Sequence, residues 1–233
     1  MDCKRYKGAV GLLKLKRTDP KAKKVRIAVN VMRARLTVLG FNLAVISILM
    51  TNSSVLSGGY RLEGFEIPIH VTVSVPLFLA LGLAIVALIL FIASSEMDET
   101  GIVSHWAMPL GEIAMYLSLA QTVTGFFGPY LMVLDTLQLA TGAEQADFLQ
   151  LRHTLAAIGA IAWLGAFYLG PIVTLIRSPF SNLTTAFLGI TYVSLCVLIA
   201  WTTTLAYDLD VHLHAGLETP VPWSKGLLMP LLW

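Results

Sequence analysis

Glu112 stands in the apolar stretch HWAMPLGEIAMYLSLAQ, residues 105–121, and no other formal charge lies so deep in a long apolar run of this chain. A carboxylate inside a bilayer is costly, so it normally faces water or the interior of a helix bundle. The chemistry open to it there is the binding of a cation or a proton. Spacing names its companions. Asn42 lies six or seven residues into the first apolar run, and Tyr116 is one turn above Glu112 on the same helix face. Pro171 has no N–H to give to the carbonyl of Phe167, which predicts an open acceptor four residues back. Asn42, Glu112, Tyr116, Phe167 and Pro171 would thus form one polar level shared by three helices. The competing reading is structural: Glu112 hydrogen-bonds to a neighbouring helix, and Asn42 joins helices together.

Histidines suggest a second chemistry. His70 opens the second apolar run and His153 the fourth, at similar depth. Imidazoles on facing helices are what a haem b with two axial histidines needs. The stretch YDLDVHLHAG adds Asp208, Asp210, His212 and His214, which together with His153 could hold a transition metal. Histidines are common near membrane interfaces, so the pattern has little specificity. The chain contains no GxGxxG, Walker loop, HExxH or GxSxG, which removes the familiar soluble-enzyme classes. Cys3 and Cys196 fall in separate regions and predict neither a disulfide nor a metal pair.

The elements that must position these residues follow from charge. Of 233 residues 56% are hydrophobic and only 13% charged. Twelve of the sixteen Lys and Arg residues, against two of the fourteen acids, fall in residues 1–35, so that arm carries +10 and the remainder −8. Residues 36–60, 67–95, 113–134, 153–176 and 178–207 carry no formal charge. About 20 apolar residues span a hydrocarbon core. The expected fold is therefore all-α: a polytopic membrane bundle of five transmembrane helices near 36–56, 68–94, 106–133, 153–176 and 182–207. In domain terms, a basic arm (1–35) precedes the bundle (36–207), and a tail (208–233) follows it. Pro76 should kink the second span.

Lys and Arg next to a span stay on the cytoplasmic side. That rule predicts a plasma or inner membrane protein with its N-terminus in the cytoplasm and its C-terminus outside. Lys14, Lys16, Arg17, Lys23, Lys24, Arg26, Arg33 and Arg35 are expected against anionic headgroups, the arm continuing from Val25 as an amphipathic helix. Nucleic acid is a poor partner for an arm without interleaved aromatics. The apolar tail with Trp223 and Trp233 suits the outer interface. Gly111, Ser118, Thr122, Gly125 and Pro129 lie near one stripe of the third span and predict a tight packing seam. The leading functional expectation is an oligomeric channel or carrier for a small ion or solute. The alternatives are a haem- or metal-binding redox subunit and a non-catalytic anchor in a larger complex.

Overall fold

The computed structural model describes residues 25–26, 29–52, 70–97, 102–103, 106–141, 145–178, 180–215 and 223–232. These form α1 (Val29–Asn52), α2 (Val71–Met97), α3 (Ala107–Thr141) and α4 (Gln145–Leu164). A π-helical turn (Gly165–Leu169), α5 (Gly170–Ile176), α6 (Asn182–Ala215) and a 3-10 segment (Trp223–Leu232) complete the chain. Among the described residues the one extended pairing is two residues long: β1 (Val25–Arg26) lies antiparallel to β2 (Ile102–Val103). Otherwise the protein is helical. Five stretches are long and apolar enough to cross a membrane: Arg33–Asn52, Val71–Ser95, Ala107–Leu134, Asp147–Ile176 and Asn182–Asp210. The fourth comprises α4, the π turn and α5.

The bundle is organised around α3, which packs chiefly on α2. On α2, Val73, Leu77, Ala80, Ala84, Ala87, Phe91 and Ser94 are all buried, at alternating spacings of three and four. That period keeps one face of a helix against its neighbour. The alanines at its centre let the backbones approach closely. The α3 side of this contact is the small-residue stripe: Gly111 sits on Phe91, Ser118 reaches the carbonyl of Ala80, and Gly125 sits on Leu77. A second cluster gathers Ile113, Leu117 and Ala120 of α3 with Trp163, Phe167, Tyr192, Cys196 and Ile199. The large exposed side chains, such as Phe41, Phe78, Ile161, Leu183 and Ile190, lie on the outward helix faces.

Several helix boundaries differ from expectation for one reason. Charge ends a span but not a helix. α3 continues past Leu134 to Thr141, and α4 already begins at Gln145, so the expected long loop at 134–152 is mostly helical. Likewise α6 runs through Asp208 and Asp210 to Ala215. Pro76 lies in the second turn of α2, which continues unbroken to Met97. The segment predicted as an amphipathic helix from Val25 is extended at Val25–Arg26, and α1 starts at Val29. β-Branched residues at every second position of VRIAV favour that extended entry, and Val25–Arg26 pairs with β2. This pairing ties the end of the basic arm to the α2–α3 connection, so both occupy one end of the bundle.

The largest difference is the tail. The 3-10 segment does not rest on the surface but turns back between α4 and α6. Met229 is buried in the cluster with Trp163 and Tyr192. Gly226 lies against the carbonyl of Ala200 in α6. Ala200 is ten residues from the Asp210 end of its span, about 15 Å along the helix, so the tail reaches roughly half-way into the bundle. Its backbone departs from helical geometry at Leu228, with φ −127° and ψ 51°. Irregular backbone at that depth is tolerated where protein or water covers it.

Candidate functional site

Near the β1–β2 end, three helices converge on Glu112. It lies five residues inside α3 from Ala107, about 8 Å along the axis. Arg35, one turn and a half into α1, forms an ion pair with its Oε1. On the other oxygen, the hydroxyl of Thr174 in α5 donates to Oε2 at 3.0 Å. The second guanidinium nitrogen of Arg35 points at Sδ of Met108, 4.0 Å away. The side chains of Arg35 and Glu112 are 21% and 14% exposed. The pair is therefore largely buried.

Asn42 occupies the next level up. Its Nδ2 donates to Oγ of Ser118 at 2.8 Å, and the hydroxyl of Ser118 donates in turn to the carbonyl of Ala80 at 2.7 Å. This relay joins α1, α3 and α2 in series. It is separate from the Glu112 group, although both share α1 and α3. Tyr116 lies between them in sequence and covers the backbone of Gly170: a Cβ there would fall 2.6 to 2.8 Å from three of its ring carbons. Tyr116 thus contributes its ring face to the α3–α5 contact. Gly170→Ala should cost about 1–3 kcal/mol through overpacking, measurable as a lower thermal midpoint of the detergent-solubilised protein.

The carbonyl freed by Pro171 is present but occupied. A proline ring clashes with the carbonyl four residues back, and the helix answers by widening into the π turn that ends at Leu169. Tyr192 of α6 donates its hydroxyl to the carbonyl of Phe167 at 2.9 Å. On the same turn Tyr168 donates to the carbonyl of Leu227 in the re-entrant tail at 2.5 Å. The π turn is therefore where α4–α5, α6 and the tail are fastened together. Trp163 stacks on Phe167 with centroids 4.4 Å apart and donates to Oγ1 of Thr124 at 3.1 Å.

Of the five residues assigned to one level, then, Glu112 and Tyr116 stand on the α3 face toward α5, while Asn42 and Phe167 hold separate partners. Arg35, expected among the headgroup-facing basic residues, turns inward to Glu112 instead. Neither Arg35 nor Thr174 is recognisable from sequence as a partner of Glu112. The available signal was level: Arg35 borders the first uncharged run, and Thr174 is three residues from Arg177 at the same end. Arg33 is exposed on α1, whereas Lys14, Lys16, Arg17, Lys23 and Lys24 lie outside the described residues, as does the side chain of Arg26.

The described histidines have different surroundings. His70, just before α2, is buried, and its Nε2 has no hydrogen-bond partner among the described residues. His153 is exposed on α4. At that end Thr72 of α2 donates to Oδ2 of Asp210 at 3.0 Å, fastening α2 to α6. Asp208 is partly exposed on α6 near it, and the side chains of His212 and His214 lie outside the described residues. Among the described residues no three His, Cys, Asp or Glu side chains group as a metal would need. No protein-family model, curated protein or solved structure matches the chain.

Proposed function

We propose that this chain is a multi-pass carrier or channel for a small ion or solute, with Arg35, Glu112 and Thr174 as its charged gate. The observation that carries the reading is the ion pair itself. Burying two opposite charges seldom stabilises a fold more than apolar residues of similar volume would. A bundle already joined by a small-residue seam, aromatic clusters and neutral hydrogen bonds has little packing need for a charged pair. As a gate it has a use: a cation or proton that takes over the carboxylate releases Arg35 and loosens α1 from α3 and α5. Lys225 supports water access from the other end. It is exposed, next to Gly226, at a depth where a cation is costly in hydrocarbon and tolerated beside water.

Flux into proteoliposomes is the test. Glu112→Gln keeps the shape and the hydrogen bond from Thr174 but removes the charge, and should reduce transport at least tenfold. Unchanged flux and selectivity would defeat the gate.

We also propose that the protein works as an oligomer. Thr37, Gly40, Ala44, Ser47 and Thr51 are all exposed on α1 at spacings of three and four, and nothing lies within 4 Å of a Cβ built on Gly40. Small residues at this period suit close helix approach. Gly40→Leu should shift the particle mass in mild detergent from oligomer to monomer. The same face would suit attachment to a larger complex, for which co-purification of a second chain at fixed stoichiometry is the signature.

A further inference from the structure

The π turn stands between two features at different depths of the bundle. Beyond it, α5 carries the hydroxyl of Thr174 to Oε2 of Glu112. Beside it, the hydroxyl of Tyr168 donates to the carbonyl of Leu227 in the re-entrant tail. Tyr168 and Thr174 are six residues apart, about 9 Å along a helix axis. One short helical segment therefore joins the tail to the charged level. The form of the turn gives that junction two states. The N–H of Gly170 bonds to the carbonyl of Gly165, five residues back instead of four. Such a turn takes up one residue more than an α-helical turn. Releasing that residue rotates everything that follows by about 100° and shifts it by about 1.5 Å. A group on the surface of α5, about 5 Å from its axis, then moves by about 8 Å. Thr174 does not stay on Glu112 through such a move, so only the wide turn delivers it.

Partners outside the turn decide which form is held. Pro171 denies the carbonyl of Phe167 its helical donor, and Tyr192 of α6 supplies one at 2.9 Å. The ring of Tyr168 stands edge-on to Trp163 and Phe167, with centroids 5.8 and 4.9 Å away. Met229 of the tail is buried in the same cluster as Trp163, Phe167 and Tyr192. The tail thus holds the turn twice, through the Leu227 carbonyl and through Met229. We infer that the re-entrant tail positions the charged level. Seated, it keeps the turn wide and Thr174 on Glu112. Withdrawn, it lets α5 rotate away and leaves the carboxylate to Arg35 alone. Tyr168 is a positioning residue here, acting through α5 and not on an ion or solute. As a control of transport this rests on the reading of Glu112 as a gate, which it links to the part of the chain that enters from the Asp210 end.

The experiment places spin labels on full-length protein in lipid nanodiscs, with the native thiols removed as Cys3→Ser and Cys196→Ala. Leu36→Cys on α1 and Ile176→Cys on α5, both exposed, report the distance across the charged level. Leu36→Cys with the exposed Val86→Cys of α2 is the reference pair. A single label at Ser224→Cys, also exposed, reports by its mobility whether the tail is seated. Gly226→Val should free that label and at least triple the population of 36–176 distances displaced by up to about 8 Å. The reference distance should not change. Tyr168→Phe removes one hydrogen bond without steric conflict and should at least double the displaced population. Coupling between two sites is reciprocal, so Thr174→Val should raise the mobility of the label at 224. Wild-type 36–176 distances in both tail-side variants overturn the inference, as does an unaffected label at 224 in Thr174→Val. Where Gly226→Val disturbs the reference pair as well, Tyr168→Phe decides alone. None of these readouts depends on flux. Unchanged transport in Glu112→Gln would remove the gate and leave the linkage, whereas an unmoved α5 would remove the linkage and leave the gate.

Discussion

Arg35→Leu should lower the stability of the folded protein by about 3 kcal/mol, the scale seen when one member of a buried ion pair is removed. Its counterpart Glu112→Leu should cost clearly less. The two variants differ in what they leave behind. Without Arg35, the carboxylate of Glu112 keeps only the hydroxyl of Thr174, and its short side chain sits too far inside α3 to reach bulk water. Without Glu112, the guanidinium of Arg35 is near the start of α1 on a long stem, and it can extend toward the headgroups. The double variant Arg35→Leu, Glu112→Leu should recover most of the lost stability, because neither charge is then stranded. Unfolding in mixed micelles over the full double-mutant cycle measures this coupling. The same cycle separates gate from staple. A purely structural pair predicts that the double variant transports as the wild type does, whereas a gate predicts that stability returns and flux does not. Equal costs for the two single variants would remove the asymmetry on which the depth assignment rests.

The five helices long and apolar enough to cross a membrane were legible because an uncharged apolar run of about 20 residues is a property of the sequence, independent of tertiary detail. The small-residue seam was legible for a related reason. Gly111, Ser118 and Gly125 recur at helical spacing, and close approach is what such residues permit. Partner choice was not legible. Asn42 and Glu112 were both recognisable as buried polar groups that require partners, but sequence spacing fixes only level along a helix. Rotation about the helix axis decides that Asn42 meets Ser118 while Glu112 meets Arg35 and Thr174. Tyr192 was equally invisible as the donor to Phe167, although the open carbonyl created by Pro171 was readable from proline chemistry alone. The helix ends run past the expected boundaries at charged residues. Asp135 and Asp147 lie in α3 and α4, because water at the bundle ends tolerates charge on helices as easily as on loops. The re-entrant tail had a sequence signal that was read only half-way: an apolar WSKGLLMPLL with Pro230 is long enough to enter a bundle and too short to cross one.

That tail makes the second large prediction. Gly226→Val should expel the segment from the groove between α4 and α6. A Cβ at this position would fall 2.5 Å from the carbonyl oxygen of Ala200 and 2.7 Å from Oγ1 of Thr204. The first obstacle is backbone of an intact helix, and the hydroxyl of Thr204 is held on that same carbonyl at 2.7 Å. Neither can yield cheaply, so the tail must move. Moving it uncovers Met229, whose burial contributes about 2 kcal/mol, and leaves the carbonyl of Leu227 without Tyr168, worth about 1 kcal/mol more. The expected loss is therefore about 3 kcal/mol, read as a lower unfolding midpoint, with a new protease cut between residues 216 and 232 of detergent-solubilised protein. Tyr168→Phe supplies the graded control. It removes one hydrogen bond without steric conflict and should cost only about 1 kcal/mol, with no new cut. If Gly226→Val left both the midpoint and the protease pattern unchanged, the tail would not be seated at Ala200. The two variants also bear on access from that end. A tail that merely fills space should alter stability alone. One that borders a water-filled vestibule beside Lys225 should, when expelled, also raise the reactivity of Cys196 toward a membrane-impermeant maleimide, since that thiol is buried in the cluster that Met229 completes.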